Sequence, residues 1–180
     1  MPQDDRRRRF ELLALPHLDA AYNLARWLAG NTTDAEDVVQ DAYLRAFRYF
    51  DAFQGGNFRV WLLTIVRNAF VTWVKENRSG RMVFVSETPL AETADTDETA
   101  WGTKPRDPEA LLMDSIDSQT LNRLMEKLPS ECREVLLLRF QEELDLAEIA
   151  TVLSAPISTV KSRLYRGLED LRGLLAGEAA

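Results

Sequence analysis

Residues 145–175 place two helical patterns side by side with a break of only four residues between them. The first pattern is DLAEIATVL and the second is STVKSRLYRGLEDLRGLL. The connecting residues SAPI contain a proline, which cannot continue the first helix. Two helices joined by so short a turn pack across each other as a helix-turn-helix. This pair therefore constrains the fold of the whole C-terminal part of the chain.

The sequence also contains the local signals that a helix-turn-helix needs. Asp145 and Glu148 are placed to cap the first helix, and Ser158 or Thr159 can cap the second. Ala150 stands where the helices cross, a place that only a small side chain fits. The apolar seam between the helices is predicted to consist of Ile149, Leu153, Val160 and Leu164.

The second helix has an exposed side that contains no acidic residue. Its expected members are Ser158, Thr159, Lys161, Ser162, Tyr165 and Arg166. These side chains donate hydrogen bonds to phosphate oxygens and base edges, and an α-helix fits the major groove of DNA. The alternative is a solvated basic face on an ordinary helical hairpin. The short turn, the small crossing residue and the acid-free face together favour DNA recognition.

Charge divides the chain of net charge −7 into three parts. Residues 1–80 carry a net +1, residues 81–118 carry −6 and residues 119–180 carry −2. The middle part is also rich in Thr, Ala and Pro, and such a composition buries too little apolar area to offset the entropy of the chain. The middle part is therefore predicted to be a linker.

The sequence as a whole predicts an all-α fold. Two small helical domains, 1–80 and 119–180, are joined by a flexible acidic linker, and the C-terminal one is a helix-turn-helix.

Apolar periodicity predicts three or four helices before the linker. One is expected over residues 10–29, ending at Gly30-Asn31. A second starts at the capping box of Thr33 and Glu36. The break QGGN at residues 54–57 separates it from a third helix over FRVWLLTIVRNAFVTWVKEN. The basic cluster Arg6–Arg9 is either a DNA contact or a disordered end.

Composition argues against several classes of protein. One cysteine, Cys132, and one histidine, His17, exclude a disulfide framework and argue against a metal site. No nucleophile–base pair or phosphate loop is present, so we expect neither an enzyme nor a cofactor. No apolar run is long enough for membrane insertion and residues 1–30 do not match a secretory signal, so the expected location is cytoplasmic.

Two segments resemble extracytoplasmic-function sigma factors of the sigma-70 family. LPSECREVLLLRFQEELDLAEIATVLSAPISTVKSRLYRGLEDLR is similar to their C-terminal promoter-binding domain, with its recognition helix after a Leu-Pro-x-x-x-Arg-Glu helix. DAEDVVQDAYLRAFRYFDAF and the following helix resemble their N-terminal domain. The family often has glycine where Ser158 stands, and helix-turn-helix turns often have it where Ser154 stands.

The resemblance implies three sets of contact residues. Those matching the helix that docks on core RNA polymerase are Asp34, Glu36, Asp37, Gln40, Asp41, Leu44 and Arg45. Those matching the loop and pocket that capture an unpaired base of the −10 promoter element are Gln54, Gly55, Asn57, Phe58, Arg59, Arg67 and Asn68. Those matching the −35 contacts are Ser158, Thr159, Lys161, Ser162, Tyr165 and Arg166, with Arg163 expected in a phosphate contact or an internal ion pair.

The resemblance thus implies an alternative sigma factor whose partners are core RNA polymerase, promoter DNA and an anti-sigma factor. Two other classes stay open. A free-standing helix-turn-helix regulator would need neither the acid-rich docking helix nor the QGGN loop. A purely protein-binding helical adaptor would leave the basic face over Lys161–Arg166 unexplained.

Overall fold

The computed structural model describes residues 3–77 and 117–178, and every regular element in these ranges is helical. We call the two ranges the N-terminal bundle and the C-terminal bundle. The predicted acidic linker lies outside the described residues except for its last two, so the domain boundaries at residues 80 and 119 stay a prediction. None of the described helices has both the length and the apolar character needed to cross a bilayer.

The N-terminal bundle contains α1 (Gln3–Ala14), α2 (Leu18–Ala29), α3 (Thr32–Arg48) and α4 (Phe58–Glu76), with single 3-10 turns at Leu15–His17 and Phe50–Ala52. The C-terminal bundle contains α5 (Ser118–Lys127), α6 (Ser130–Leu136), which continues into a π-helical turn at Leu137–Gln141, and then α7 (Leu146–Leu153) and α8 (Ile157–Glu178). The predicted all-α class and the paired helical regions are confirmed.

The first predicted helix, residues 10–29, is wrong in its bounds. The turn around Pro16 divides it, because proline lacks the N–H that a continuous helix needs, and the first helix already begins at Gln3. Arg6 anchors this helix: it pairs with Asp51 at 3.1 Å, donates to the carbonyl of Phe47 at 2.7 Å and lies over the Phe47 ring. The alternative of a disordered basic end is therefore also wrong.

The start of α3 differs from the predicted capping box. Asn31 is the N-cap, and its side-chain oxygen accepts a hydrogen bond from the backbone N–H of Asp34 at 2.9 Å. Thr33 and Glu36 therefore lie inside the first turns of the helix. The predicted stop of the preceding helix is confirmed, since Gly30 has the left-handed conformation that closes a helix C-terminus.

One hydrophobic cluster runs through both bundles and is centred on α4. Leu63 and Val66 of α4 belong to it together with Leu24 of α2, and so do Ile149 and Val152 of α7. Helix α4 packs against α2 and α3 on one side and against α7 on the other. The two halves of the chain are therefore joined by apolar burial in this structure.

Arg133 holds the corner between α5 and α6. Pro129 separates α5 from α6, and the guanidinium of Arg133 donates to three carbonyls near the end of α5. The acceptors are Met125 at 2.8 Å, Glu126 at 2.8 Å and Leu128 at 3.0 Å. The last carbonyls of a helix lack the N–H donors of a following turn, and among these three only that of Met125 also accepts from a backbone N–H, that of Leu128 at 3.2 Å. The arginine of the Leu-Pro-x-x-x-Arg pattern therefore acts as a C-terminal cap.

Replacing Arg133 by Met should remove all three hydrogen bonds and leave the part-buried carbonyl of Leu128 without its side-chain donor. We expect the free energy of unfolding to fall by about 1–3 kcal/mol. Urea denaturation followed by circular dichroism measures this. The control is Arg123→Met, since Arg123 is exposed on α5 and donates to the hydroxyl of Thr120 in its own helix at 3.1 Å. Equal stability of the two variants would contradict the capping role.

Candidate nucleic-acid interface

The helix-turn-helix begins with the predicted cap. Asp145 accepts from the backbone N–H of Glu148 at 2.8 Å, and the Glu148 carboxylate accepts from the backbone N–H of Asp145 at 2.9 Å. Ile149, Leu153, Val160 and Leu164 are all buried, which confirms the predicted apolar seam. The motif is therefore held by a reciprocal cap at its start and by burial along its length.

The turn itself is tighter than the sequence suggested. Ser154 ends α7 in the left-handed conformation with φ of 51°, and Pro156 directly precedes α8. The second helix starts at Ile157, so the prediction that Ser158 or Thr159 caps it is wrong, because both lie in its first turn. Left-handed backbone favours glycine, which explains why a glycine is common at this place in such turns.

Gly167 was not singled out from the sequence, yet it sets the distance between α8 and α6. A Cβ at this position would lie 3.1 Å from the Cβ of Cys132 and 3.1 Å from Cδ1 of Leu136. Cys132 is buried at this contact, and burial raises the pKa of its thiol, as expected for a cysteine that packs in the core and does not react. The close approach of α6 fixes the angle at which α8 leaves the bundle.

The predicted donor face of α8 is largely open to solvent. Ser158, Ser162, Tyr165 and Arg166 are exposed, whereas Thr159 and Lys161 are half-buried. Arg163 turns toward α6, where its Nε lies 3.7 Å from a Glu131 carboxylate oxygen. Of the two expectations for Arg163, the internal ion pair is therefore the one observed.

The QGGN loop joins α3 to α4 through left-handed backbone. Gly55 and Gly56 have φ of 97° and 95°, which residues with a Cβ rarely adopt. Gln54 and Asn57 are exposed beside them. Asn57 has a second role that the sequence did not show: it is the N-cap of α4 and accepts from the N–H of Val60 at 3.3 Å.

Phe58 is not offered to solvent. It is 6% exposed and lies in an aromatic cluster with Phe10, Phe50, Phe53 and Trp61, whose ring centroids are 5.2–6.5 Å from its own. Edge-to-face packing of this kind stabilises a core. In this conformation the ring supports the loop from beneath, and no base can stack on it.

The other three residues of the predicted −10 set lie along α4. Asn68 is exposed, whereas Arg59 and Arg67 are half-buried and point at the C-terminal bundle. Arg59 forms an ion pair with Glu142, and Nε of Arg67 lies 2.8 Å from Oε1 of Glu134. Asn57 completes this set of contacts, since its amide donates to the Glu148 carboxylate at 3.0 Å.

The predicted polymerase-docking residues follow the outer side of α3. Glu36, Asp37, Gln40 and Leu44 are exposed, while Asp34, Asp41 and Arg45 are half-buried. Arg45 pairs with Asp41 at 2.8 Å and donates to Thr72 at 3.3 Å. Leu44 is 64% exposed, and Tyr49, which no sequence pattern marks as a contact residue, is 57% exposed. An acidic surface with exposed apolar side chains suits a protein partner better than DNA.

Comparison with known protein families gives two matches in chain order. Residues 13–80 match the family model described as sigma-70 region 2, and residues 118–171 match the model described as sigma-70, region 4.

Curated relatives and a solved structure are similar over most of the chain. The ECF RNA polymerase sigma factor SigW of Bacillus subtilis is 32% identical, over 86% of this chain and 82% of its own length. SigE of Mycolicibacterium smegmatis is 34% identical over 91% of this chain, which spans 60% of the length of SigE. The sigma factor RpoE of Bartonella quintana, solved with the anti-sigma factor NepR, superposes with a TM-score of 0.67 at 27% identity, over 93% of this chain and 97% of RpoE.

Replacing Ser154 by glycine should relieve the left-handed backbone at the turn. We expect the free energy of unfolding to rise by about 0.5–1 kcal/mol, because the strain at φ of 51° outweighs the added freedom of the unfolded chain. Thermal unfolding by calorimetry measures the change. Glu143→Gly is the parallel variant, since Glu143 has φ of 54°. Ser162→Gly, inside α8, is the control and should destabilise.

Proposed function

The chain belongs to the ECF RNA polymerase sigma factors, and from this premise we propose that it directs core RNA polymerase to promoters by contacting the −35 and −10 elements. The observation that carries the proposal is the donor face of α8, which contains no acidic residue and is largely exposed to solvent, on a helix-turn-helix whose first helix starts at a reciprocal cap. Sigma factors are non-enzymatic initiation factors. We propose accordingly that this chain has no catalytic activity of its own and acts in the cytoplasm, where polymerase is found.

For the −35 element we propose base-edge contacts by Arg166, Lys161 and Ser162, with Ser158, Thr159 and Tyr165 beside them. The side chains of Ser162 and Arg166 are exposed on successive turns of α8, a spacing that lets one helix follow the major groove. Arg163 takes another role, because its pairing with Glu131 ties the recognition helix to α6.

Arg166→Ala and Lys161→Ala should each weaken −35 recognition by about 1–3 kcal/mol, because a base contact is lost. Run-off transcription should fall while binding to core polymerase stays intact. Arg172→Ala is the matched control, since Arg172 is exposed on the same helix but lies beyond the proposed face. Normal transcription by both variants would show that α8 does not read DNA in this way.

For the −10 element we propose that the glycine loop and the adjoining surface of α4 receive an unpaired base. Gly55 and Gly56 let the backbone approach a nucleotide, Gln54, Asn57 and Asn68 offer amides to its edge, and Arg59 and Arg67 hold strand phosphates. Phe58 contributes by packing beneath this loop.

Asn68→Ala should leave duplex −35 binding unchanged and reduce promoter melting, measured by permanganate footprinting of the −10 region. Asn57→Asp is the second variant, since Asp keeps the cap of α4 but has no amide donor. Asn77→Ala at the far end of α4 is the control. Undiminished melting in both test variants would refute the pocket.

We propose that α3 docks on core polymerase through Asp34, Glu36, Asp37, Gln40, Asp41, Leu44 and Arg45. The exposed Leu44 supplies apolar area beside the acidic side chains, and such area is what a protein partner can bury. We also propose an anti-sigma factor as a regulatory partner. The likeness to RpoE, a sigma factor solved with its anti-sigma factor NepR, supports this partner.

One transcription experiment separates the three classes of function. Core polymerase with this chain should give discrete run-off products from fragments of the source genome, and core polymerase alone should not. A free-standing regulator would bind fragments without supporting transcription. A protein-binding adaptor would do neither, so either result would reject the sigma-factor proposal.

A further inference from the structure

The face of the N-terminal bundle that carries the proposed −10 residues is in contact with the C-terminal bundle. Three polar contacts join the two: Arg59 with Glu142, Arg67 with Glu134 at 2.8 Å, and Asn57 with Glu148 at 3.0 Å. All three N-terminal members belong to the proposed −10 set. All three C-terminal members are carboxylates that the proposed function leaves without a role in contacting DNA or polymerase.

Two of these carboxylates are nearly removed from water. The side chain of Glu142 is 4% exposed and that of Glu134 is 9% exposed, while their arginine partners are 29% and 23% exposed. A buried carboxylate is costly unless a cation and hydrogen bonds compensate it. Arg59 and Arg67 supply that compensation across the bundles. While they do so, their guanidinium groups are not available to a phosphate.

The chemistry of these contacts matches that of a nucleic-acid strand. A guanidinium binds a carboxylate and a phosphate in the same way, through charge-assisted N–H···O hydrogen bonds. An amide that donates to a carboxylate can equally donate to a base acceptor. Each of these three side chains therefore donates to a carboxylate of the C-terminal bundle. The proposed strand would offer it the same kind of partner, a hydrogen-bond acceptor.

Resting on the proposed function, we propose that Glu134, Glu142 and Glu148 form an intramolecular substitute for the −10 strand. The C-terminal bundle and single-stranded DNA compete for one face of the N-terminal bundle, and the free chain is held closed. We call this set of three carboxylates the acidic latch. Packing of α4 against α7 adds apolar burial to the closed arrangement.

Glu134 has a second cation within its own bundle. Burial raises the pKa of its carboxyl, while Arg67 and, to a smaller extent, Arg163 act in the opposite direction. Arg163 is held by Glu131 at 3.7 Å in the closed arrangement. When the bundles separate, water reaches the Glu134 carboxylate, and Arg163 of the same bundle remains near it. The carboxylate is therefore neither buried nor without a nearby cation in the open chain. This makes the latch reversible.

The test compares the full chain with a Glu134→Gln/Glu142→Gln variant in the absence of polymerase. Small-angle X-ray scattering reports separation of the bundles, and fluorescence anisotropy reports binding of a short, mixed-sequence, labelled single strand. We expect a larger radius of gyration and binding that is tighter by about tenfold, because more of the population is binding-competent. The control is Glu143→Gln/Glu169→Gln, which removes the same charge from exposed positions.

Circular dichroism must show that the latch variant keeps its helices, and Glu134→Gln alone serves as a milder variant if the double change unfolds the chain. An unchanged radius of gyration would overturn the latch. So would opening that leaves strand affinity equal to that of the control, since the carboxylates would then not cover the strand-binding face. Failure of the proposed function is seen separately, as absence of run-off transcription by the wild-type chain with core polymerase.

Discussion

Burial of α4 on two sides is the constraint on which the rest of the structure depends. One side completes the core with α2 and α3, and the other packs against α7 of the helix-turn-helix. Because α4 also starts at the glycine loop and carries Arg59, Arg67 and Asn68, the helix that unites the chain is the one that carries the proposed −10 surface. Packing and recognition thus share a single element.

Much of this architecture could be predicted from local patterns. The bounds of α4, the break at Pro129 and the capping box of Asp145 and Glu148 follow from period, proline and cap signals that act over a few residues. Helix α1 was missed because its charged sequence shows little apolar periodicity; Arg6 secures it through contacts with Asp51 and Phe47, more than forty residues away.

The candidate site was predictable in its residue types but not in its pairings. Nothing in the sequence around Arg67 identifies Glu134 as its partner, since the two lie 67 residues apart. The buried state of Phe58 was likewise invisible, because an aromatic residue at a helix start has the same local pattern whether it packs or projects. Such facts depend on tertiary packing, which no window of sequence contains.

The latch also explains how a chain of net charge −7 keeps a basic face on α8 that its own carboxylates do not neutralise. In the C-terminal bundle the carboxylates of Glu134, Glu142 and Glu148 face the N-terminal bundle, whereas Ser162, Tyr165 and Arg166 remain exposed on α8. Acidic and donor groups therefore occupy different sides of the same small bundle. It follows from the proposal that closure covers the −10 surface but leaves Ser162, Tyr165 and Arg166 of α8 exposed to solvent. The −35 face of α8 offers DNA only a few cationic side chains, and a few cationic contacts are weak at physiological salt. Separation of the bundles exposes the −10 surface and so adds a second contact with the promoter. The gain in affinity then depends on the −10 and −35 surfaces being held at promoter spacing, which polymerase can impose.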